Sequence, residues 1–238
     1  MIKILSRIVL FFLVIIYFSG CAKDKNLPLP ATDHNKDIKI GVVSNYGNLF
    51  EYFFANFLVR ERIYALVDDW ELDRFIEKRI SFYLKEKKYK NIKIINPTEN
   101  IILLKNQRKT IYYKDYIKEV NTIMKENDVD IIIYVENFNL NGRFRIANKN
   151  LIIRNVGVTN TGMFNKNFAN TVLVIDEYHA NDKNYNFTFT KLNDKPLPKE
   201  FFNDKKEIYE KENVEKTKKI IFELLDVSIK EYVDSSFK

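Results

Sequence analysis

Cysteine and histidine are scarce in this chain, which has one cysteine and two histidines among 238 residues. A single thiol cannot form an intramolecular disulfide, so the fold must depend on burial and hydrogen bonding. The sequence also lacks a glycine-rich phosphate loop and the spacings His-Glu-x-x-His, Cys-x-x-Cys and Gly-x-Ser-x-Gly. The chemistries of those motifs need those spacings. We therefore expect no metal and no cofactor, and we favour a protein that is not an enzyme.

The amino terminus has the layout of a secretory signal. Lys3 and Arg7 form a short cationic head, residues 8–18 are an unbroken apolar run, and small residues follow at 19–20. This order is typical of a signal peptide. The apolar run is too short for a spanning helix, which needs about 20 residues.

The end of this segment, Phe18-Ser19-Gly20-Cys21, resembles the lipobox of bacterial lipoproteins, with Phe18 where leucine is usual. The resemblance implies that Cys21 carries the lipid, palmitate included, and becomes the first residue of the mature protein. By the sorting rule of such lipoproteins, Ala22 in place of aspartate implies the outer membrane, on the periplasmic side, in a cell with two membranes.

Composition indicates a globular exported protein. Hydrophobic residues make up 46% and charged residues 30% of the chain, enough to build a core. The net charge of +7 includes two cations of the signal. We expect the basic surface to suit anionic lipid headgroups. A nucleic-acid partner is not expected for an exported protein.

Three segments follow from these patterns. Residues 1–20 are predicted to be a lipoprotein signal peptide. Residues 21–36 are predicted to be the lipidated cysteine and a flexible tether, since this stretch is polar and carries Pro28 and Pro30. Residues 37–238 are predicted to form one domain.

Periodicity predicts an α+β domain: a single layered domain with a mixed, mostly antiparallel sheet and about three helices. The apolar run 131–135 suits a central strand. Asp68 and Glu71 have the spacing of a capping box that would start the first helix. Strands are expected near 38–44, 49–58, 63–67, 91–95, 131–135, 143–147, 151–158, 171–177 and 185–190. One helix is expected to start at residue 68, a second to include residues 113–124, and a third to span 205–233.

Two stretches carry a second resemblance. The runs 41–44 (Gly-Val-Val-Ser) and 67–75 (Val-Asp-Asp-Trp-Glu-Leu-Asp-Arg-Phe) resemble a pattern in uncharacterised bacterial exported proteins. More loosely, the layout and anchor are similar to envelope lipoproteins with a TolB-N-terminal or CsgG-like α/β fold. That resemblance implies a function in binding envelope partners.

Few residues suggest chemistry. Glu177 and His179 share one face of a predicted strand and are candidates for an acid/base or metal pair. The alternative is a polar strand end in solvent, which we favour because a metal site normally needs three or more ligands. Ser44 ends a strand where nucleophiles occur, but nothing nearby supplies a base, so an ordinary turn serine is favoured.

Arginines form a candidate anion-binding patch. Arg143 and Arg145 lie on one face of a predicted strand, and Arg154 on the next strand could join them. The alternative, which we favour, is a solvated sheet face.

Aromatic residues are expected to be buried. Trp70 should pack under a helix start, although a lone tryptophan can also anchor a binding surface. The aromatic residues at 50–57 occur on both faces of their strand, which indicates burial on both faces or an aromatic surface for a partner.

Two functions remain open. The first is a lipid-anchored envelope protein that acts as a non-enzymatic binding or assembly module. The second is a lipid-anchored hydrolase that uses carboxylates or His179. An enzyme should have a deep pocket with convergent ionisable groups, whereas a binding module should have a shallow surface or an open sheet edge.

Overall fold

A computed structural model describes residues 35–55, 60–107, 113–136, 155–161, 166–180, 186–198 and 211–238. These ranges belong to one compact unit, which runs from Ala31 to Lys238. The signal segment and the predicted strand at 143–147 lie outside the described residues. No helix within the ranges given is long and apolar enough to cross a membrane.

The described elements are eight strands and four α-helices. The strands are β1 Lys39–Asn45, β2 Leu49–Ala55, β3 Arg60–Leu66, β4 Asn91–Ile94, β5 Ile131–Glu136, β6 Val156–Thr161, β7 Lys166–His179 and β8 Asn186–Leu197. The helices are α1 Leu72–Glu86, α2 Glu99–Gln107, α3 Tyr113–Asn127 and α4 Lys211–Ser236.

The fold is α+β, as the sequence predicts, with a mixed sheet in a single domain. Four strand pairs are antiparallel and three are parallel. The described part has four helices instead of about three, because α2 precedes α3. Residues 101–104 of α2 are consecutively apolar, and such a short run does not distinguish a helix from a strand by periodicity.

The long strand β7 organises the sheet. One edge of β7 pairs first with β6, from Lys166 to Thr171, and then with β5, from Val174 to His179. The opposite edge of β7 pairs with β8 along twelve registered positions. The path through the sheet is β3-β2-β6-β7-β5-β1-β4, so β3 is the outermost described strand on one side.

Helices cover both faces of the β5–β1 region. On one face, α1 and α4 pack on a large core that includes Ile40, Ile133 and Val158. On the other face, α3 packs on Val43 and Ile132. All six residues of β5 are buried, which confirms the prediction of a central strand covered on both faces.

The start of α1 differs from the prediction. Asp68–Trp70 forms a 3-10 turn, Glu71 has left-handed backbone angles (φ 47°, ψ 47°), and the α-helix begins at Leu72. No side chain makes a capping hydrogen bond at the start of the 3-10 turn or at the start of the α-helix. The capping-box prediction is wrong because Asp68 accepts a hydrogen bond from the Asn48 side chain instead.

Candidate functional site

The β3 edge, defined as strand residues Arg60–Leu66 at the outer side of the sheet, carries three exposed large hydrophobic side chains. Ile63 is 37% exposed, Tyr64 42% and Leu66 70%. These are three of the seven large hydrophobic side chains that are exposed in the described part of the chain. An outermost strand with such side chains is a template for pairing with another chain.

A groove of about 230 Å³ lies between the β2–β3 hairpin and the start of α4. Its lining residues are mainly apolar, with one acidic residue, Asp69, and two that carry a hydroxyl, Tyr52 and Thr217. The lining residues are Phe50, Tyr52, Ile63, Ala65, Leu66, Val67, Asp69, Trp70, Val214 and Thr217. The groove therefore runs alongside the β3 edge.

Strand β3 is linked to β2 by an ion pair between a partly exposed arginine and a buried carboxylate. The guanidinium of Arg62 binds the carboxylate of Glu51, which is 1% exposed. Arg62 also lies over the ring of Phe53, 4.6 Å from its centroid. A buried charge needs such a partner, so this pair satisfies the carboxylate of Glu51 and connects β3 to β2.

Trp70 forms the floor of this region. Its side chain is 4% exposed and meets the rings of Phe50 at 5.5 Å and Phe222 at 6.4 Å, both edge to face. The prediction that Trp70 packs under the helix start is confirmed. Burial of Phe50, Tyr52, Phe53 and Phe54 is also confirmed, since each is at most 9% exposed.

Glu177 and His179 do meet at the end of β7. The Nε2 atom of His179 lies 2.7 Å from Oε1 of Glu177. The Tyr232 hydroxyl of α4 donates to Oε2 of Glu177 at 2.9 Å. Burial raises the pKa of Tyr232 well above its ordinary value, and the charge of Glu177 raises this pKa further, so the hydroxyl stays a proton donor.

This arrangement joins helix to sheet. Glu177 is 4% exposed and Tyr232 is fully buried. Within the described ranges, no group of three or more His, Cys, Asp and Glu residues could hold a metal ion. The contacts of Glu177 account for a carboxylate in the core, because a buried charge is tolerated when hydrogen bonds satisfy it.

Ser44 has a different partner. Its hydroxyl donates to Oδ1 of Asp73 at 2.6 Å, and Asp73 also accepts the main-chain N–H groups of Tyr46 and Gly47. Ser44 is registered with Val135, whereas His179 is registered with Ile131 at the other end of β5. Ile131 and Val135 are four residues apart, which is about 13 Å along the strand direction. The structure therefore does not bring Ser44 and His179 together.

The sequence reasoning missed a second buried network. The hydroxyls of Tyr116 and Tyr178 lie 2.9 Å apart, and Tyr178 donates to Asp176 at 3.3 Å. Thr188 of β8 donates to Asp176 at 2.6 Å. The sequence pattern that could have indicated this network is the polar run 176–179 on a predicted strand. Successive side chains of a strand point to opposite faces of the sheet. Asp176 and Glu177 therefore each meet a tyrosine, one on each side of the sheet.

Four predicted site residues lie outside the described residues. They are Cys21 and the arginine patch Arg143, Arg145 and Arg154.

Comparisons with known proteins give structural neighbours alone. No protein-family model matches the chain, and no curated protein matches it. A PelC L103M dodecamer from Paraburkholderia phytofirmans aligns with a TM-score of 0.37 and 5% identity, covering 87% of this chain and 95% of its own. The hypothetical protein CT253 from Chlamydia trachomatis aligns with a TM-score of 0.39 and 6% identity, covering 84% and 97%.

Proposed function

We propose that this chain is a lipid-anchored envelope protein that acts as a non-enzymatic binding and assembly module, and that the β3 edge is its binding surface. The anchor rests on the lipobox-like residues 18–21 of the sequence. The surface rests on the exposure of Leu66, at 70%, on the outermost described strand. This exposure is the observation that carries the proposal.

The free energy that a partner would gain by binding supports the choice of the β3 edge as the binding surface. Burying an exposed apolar side chain contributes about 25 cal/mol for each Å² removed from water. An edge strand also offers main-chain N–H and C=O groups, so a bound strand gains directional hydrogen bonds together with apolar burial. The β3 edge presents the apolar side chains of Ile63 and Leu66, and the groove beside it adds concave apolar area.

The hydrolase alternative finds less support among the described residues. Hydrolysis by paired carboxylates requires two groups that converge on one substrate position. Asp176 and Glu177 point to opposite faces of the sheet, and each is bound by its own hydroxyl donors. Among the described residues that line the groove, Asp69 alone carries a carboxylate.

Photo-cross-linking in the native envelope tests this proposal. A benzophenone amino acid is placed at Leu66 in the full-length protein, and a matched control carries it at Val227, which is 57% exposed on α4. The proposal predicts a discrete protein adduct from position 66 that is absent from position 227. No adduct at 66, or the same adduct from both positions, would contradict it.

A further inference from the structure

The groove beside the β3 edge has a buried floor and an exposed mouth. The lining residues that are buried are Phe50, Tyr52, Val67, Trp70 and Thr217. Those that are exposed are Ile63, Ala65, Leu66 and Asp69. Three of the four exposed residues belong to β3, so the groove opens along this strand.

One face of the β2–β3 hairpin forms a wall of the groove. Phe50 is registered with Ala65 and Tyr52 with Ile63, so these four side chains point to the same face of the sheet. A strand added to the β3 edge lies about 4.8 Å from it, and its side chains on this face stand next to Ile63 and Ala65. From there a large side chain reaches the mouth of the groove.

The volume of the groove restricts what can enter it. The groove measures about 230 Å³. A protein cavity of about 150 Å³ holds benzene, whereas pockets for whole drug-sized ligands measure about 300–1,000 Å³. The groove therefore suits one large apolar side chain. Pockets that hold such anchor side chains contribute much of the binding energy at protein interfaces.

Asp69 gives the mouth of the groove its charge. It is the one charged residue among the described residues that line the groove. Its carboxylate is exposed and, within the described ranges, makes no ion pair. The ammonium of Lys218 donates to the main-chain oxygen of Asp69 at 3.4 Å, but Lys218 lines a neighbouring concavity with Phe75 and Phe222. The mouth therefore offers an acceptor to a cation.

We infer that the groove binds one large apolar side chain of the partner protein, and that Asp69 binds a basic side chain two residues away on the same strand. The inference rests on the proposed function, since it names the chemistry of the segment that binds at the β3 edge. Same-face residues of a strand are two positions and about 7 Å apart, so the basic residue stays at the mouth while the anchor occupies the floor. An acidic residue at that position would be repelled by Asp69.

Short peptides test this pattern on the full-length protein in an uncharged detergent. The probe is a blocked five-residue peptide with phenylalanine at its second position, lysine at its fourth and threonine elsewhere. Trp70 is the only tryptophan of the chain and lies in the floor, so its fluorescence reports occupancy. At low ionic strength the lysine peptide should bind at least threefold more tightly than the same peptide with glutamate. Alanine in place of phenylalanine should abolish the response.

Reversing the charge at Asp69 is the matched test. Asp69→Lys should invert the preference, so that the glutamate peptide binds more tightly than the lysine peptide. Glu126→Lys is the control, because Glu126 is exposed on α3, which packs on the opposite face of the sheet. Thermal midpoints establish that both variants fold. No response to any peptide, an equal or tighter binding of the glutamate peptide by the parent chain, or an unaltered preference in folded Asp69→Lys would overturn the inference.

The native partner distinguishes this inference from the proposed function. The photo-adduct from position 66 should fall at least threefold in Asp69→Lys and keep its yield in Glu126→Lys. An adduct of full yield in Asp69→Lys would overturn the inference and leave the proposed binding function standing. Absence of any adduct in the parent background would remove both.

Discussion

The hydroxyl of Tyr232 in α4 donates a hydrogen bond to the carboxylate of Glu177 in β7, at 2.9 Å. Both side chains are buried, so this contact connects the last helix to the sheet within the core.

Removing this hydroxyl should destabilise the fold. Tyr232→Phe leaves Glu177 with one donor fewer, and an unsatisfied buried polar group costs about 1–3 kcal/mol. Urea unfolding should show that loss of free energy. Tyr89→Phe is the control, because Tyr89 is equally buried but its hydroxyl lies 3.4 Å from a carbonyl at the chain end. Equal losses in the two variants would contradict the assigned role of Tyr232.

Gly157 permits the close approach of β6 to β2. A Cβ atom at Gly157 would lie 1.9 Å from the main-chain oxygen of Glu51, so Gly157→Ala must force the two strands apart. Overpacking of this kind costs about 1–3 kcal/mol or more. We expect Gly157→Ala to lower the thermal midpoint by several degrees.

Gly41→Ala is the matched control. The Cβ atom there would meet Cδ1 of Ile95 at 2.6 Å, and the end of a side chain can move aside. Its loss of stability should be the smaller one. If Gly157→Ala were as stable as the parent chain, the parallel pairing of β2 with β6 would be contradicted.

Much of the fold was predictable because the deciding patterns are local. The apolar run 131–135 and the one-sided apolar face of α1 both indicate their own burial, and both predictions are confirmed. The burial of Trp70 also followed from its place beside a helix start.

The candidate site was less predictable because it depends on pairing between distant segments. Strand β2 pairs with β6, about 100 residues further along the chain, and this pairing leaves β3 outermost. The apolar residues of β3 occur at odd and even positions, so their pattern is the same whether the strand is covered or exposed. The contact of Glu177 with Tyr232 likewise joins residues 55 positions apart.

Glu77 should make stability fall as pH rises. Burial raises the pKa of Glu77 above its ordinary value of 4.5, and the charge of Asp73 raises this pKa further. Between the unfolded and the raised folded pKa, the folded state binds more protons than the unfolded state, so unfolding becomes easier with increasing pH. The contribution of Glu77 is fully present below pH 4.5 and is lost as pH rises through the folded pKa.

The variant Glu77→Gln isolates this effect. It removes the half-buried charge and keeps an oxygen that can accept a hydrogen bond from the main-chain N–H of Ser44. We expect a modest gain in the free energy of unfolding at pH 7 that disappears below pH 4.5. Urea titrations of both proteins across this range measure it. A gain that is the same at pH 4 and pH 7 would show that ionisation of Glu77 is not the cause.

Cys21→Ala should release the protein from membranes or leave it held by an uncut signal. Each buried CH₂ group of an acyl chain contributes about 0.8 kcal/mol, so several chains anchor firmly. Membrane fractionation and mass spectrometry of the mature amino terminus measure the outcome. A mature terminus without lipid mass would contradict the proposed anchor.

The measurement that most directly tests the central claim is complementation of a deletion strain by two variants with matched expression and thermal midpoints. Leu66→Lys places a charge on the β3 edge, where side chains are exposed, and His179→Ala removes the histidine of the described part of the chain. Binding through the β3 edge predicts that His179→Ala restores the phenotype and Leu66→Lys does not. Loss of function in folded His179→Ala, with Leu66→Lys fully active, would contradict the binding account and favour the hydrolase.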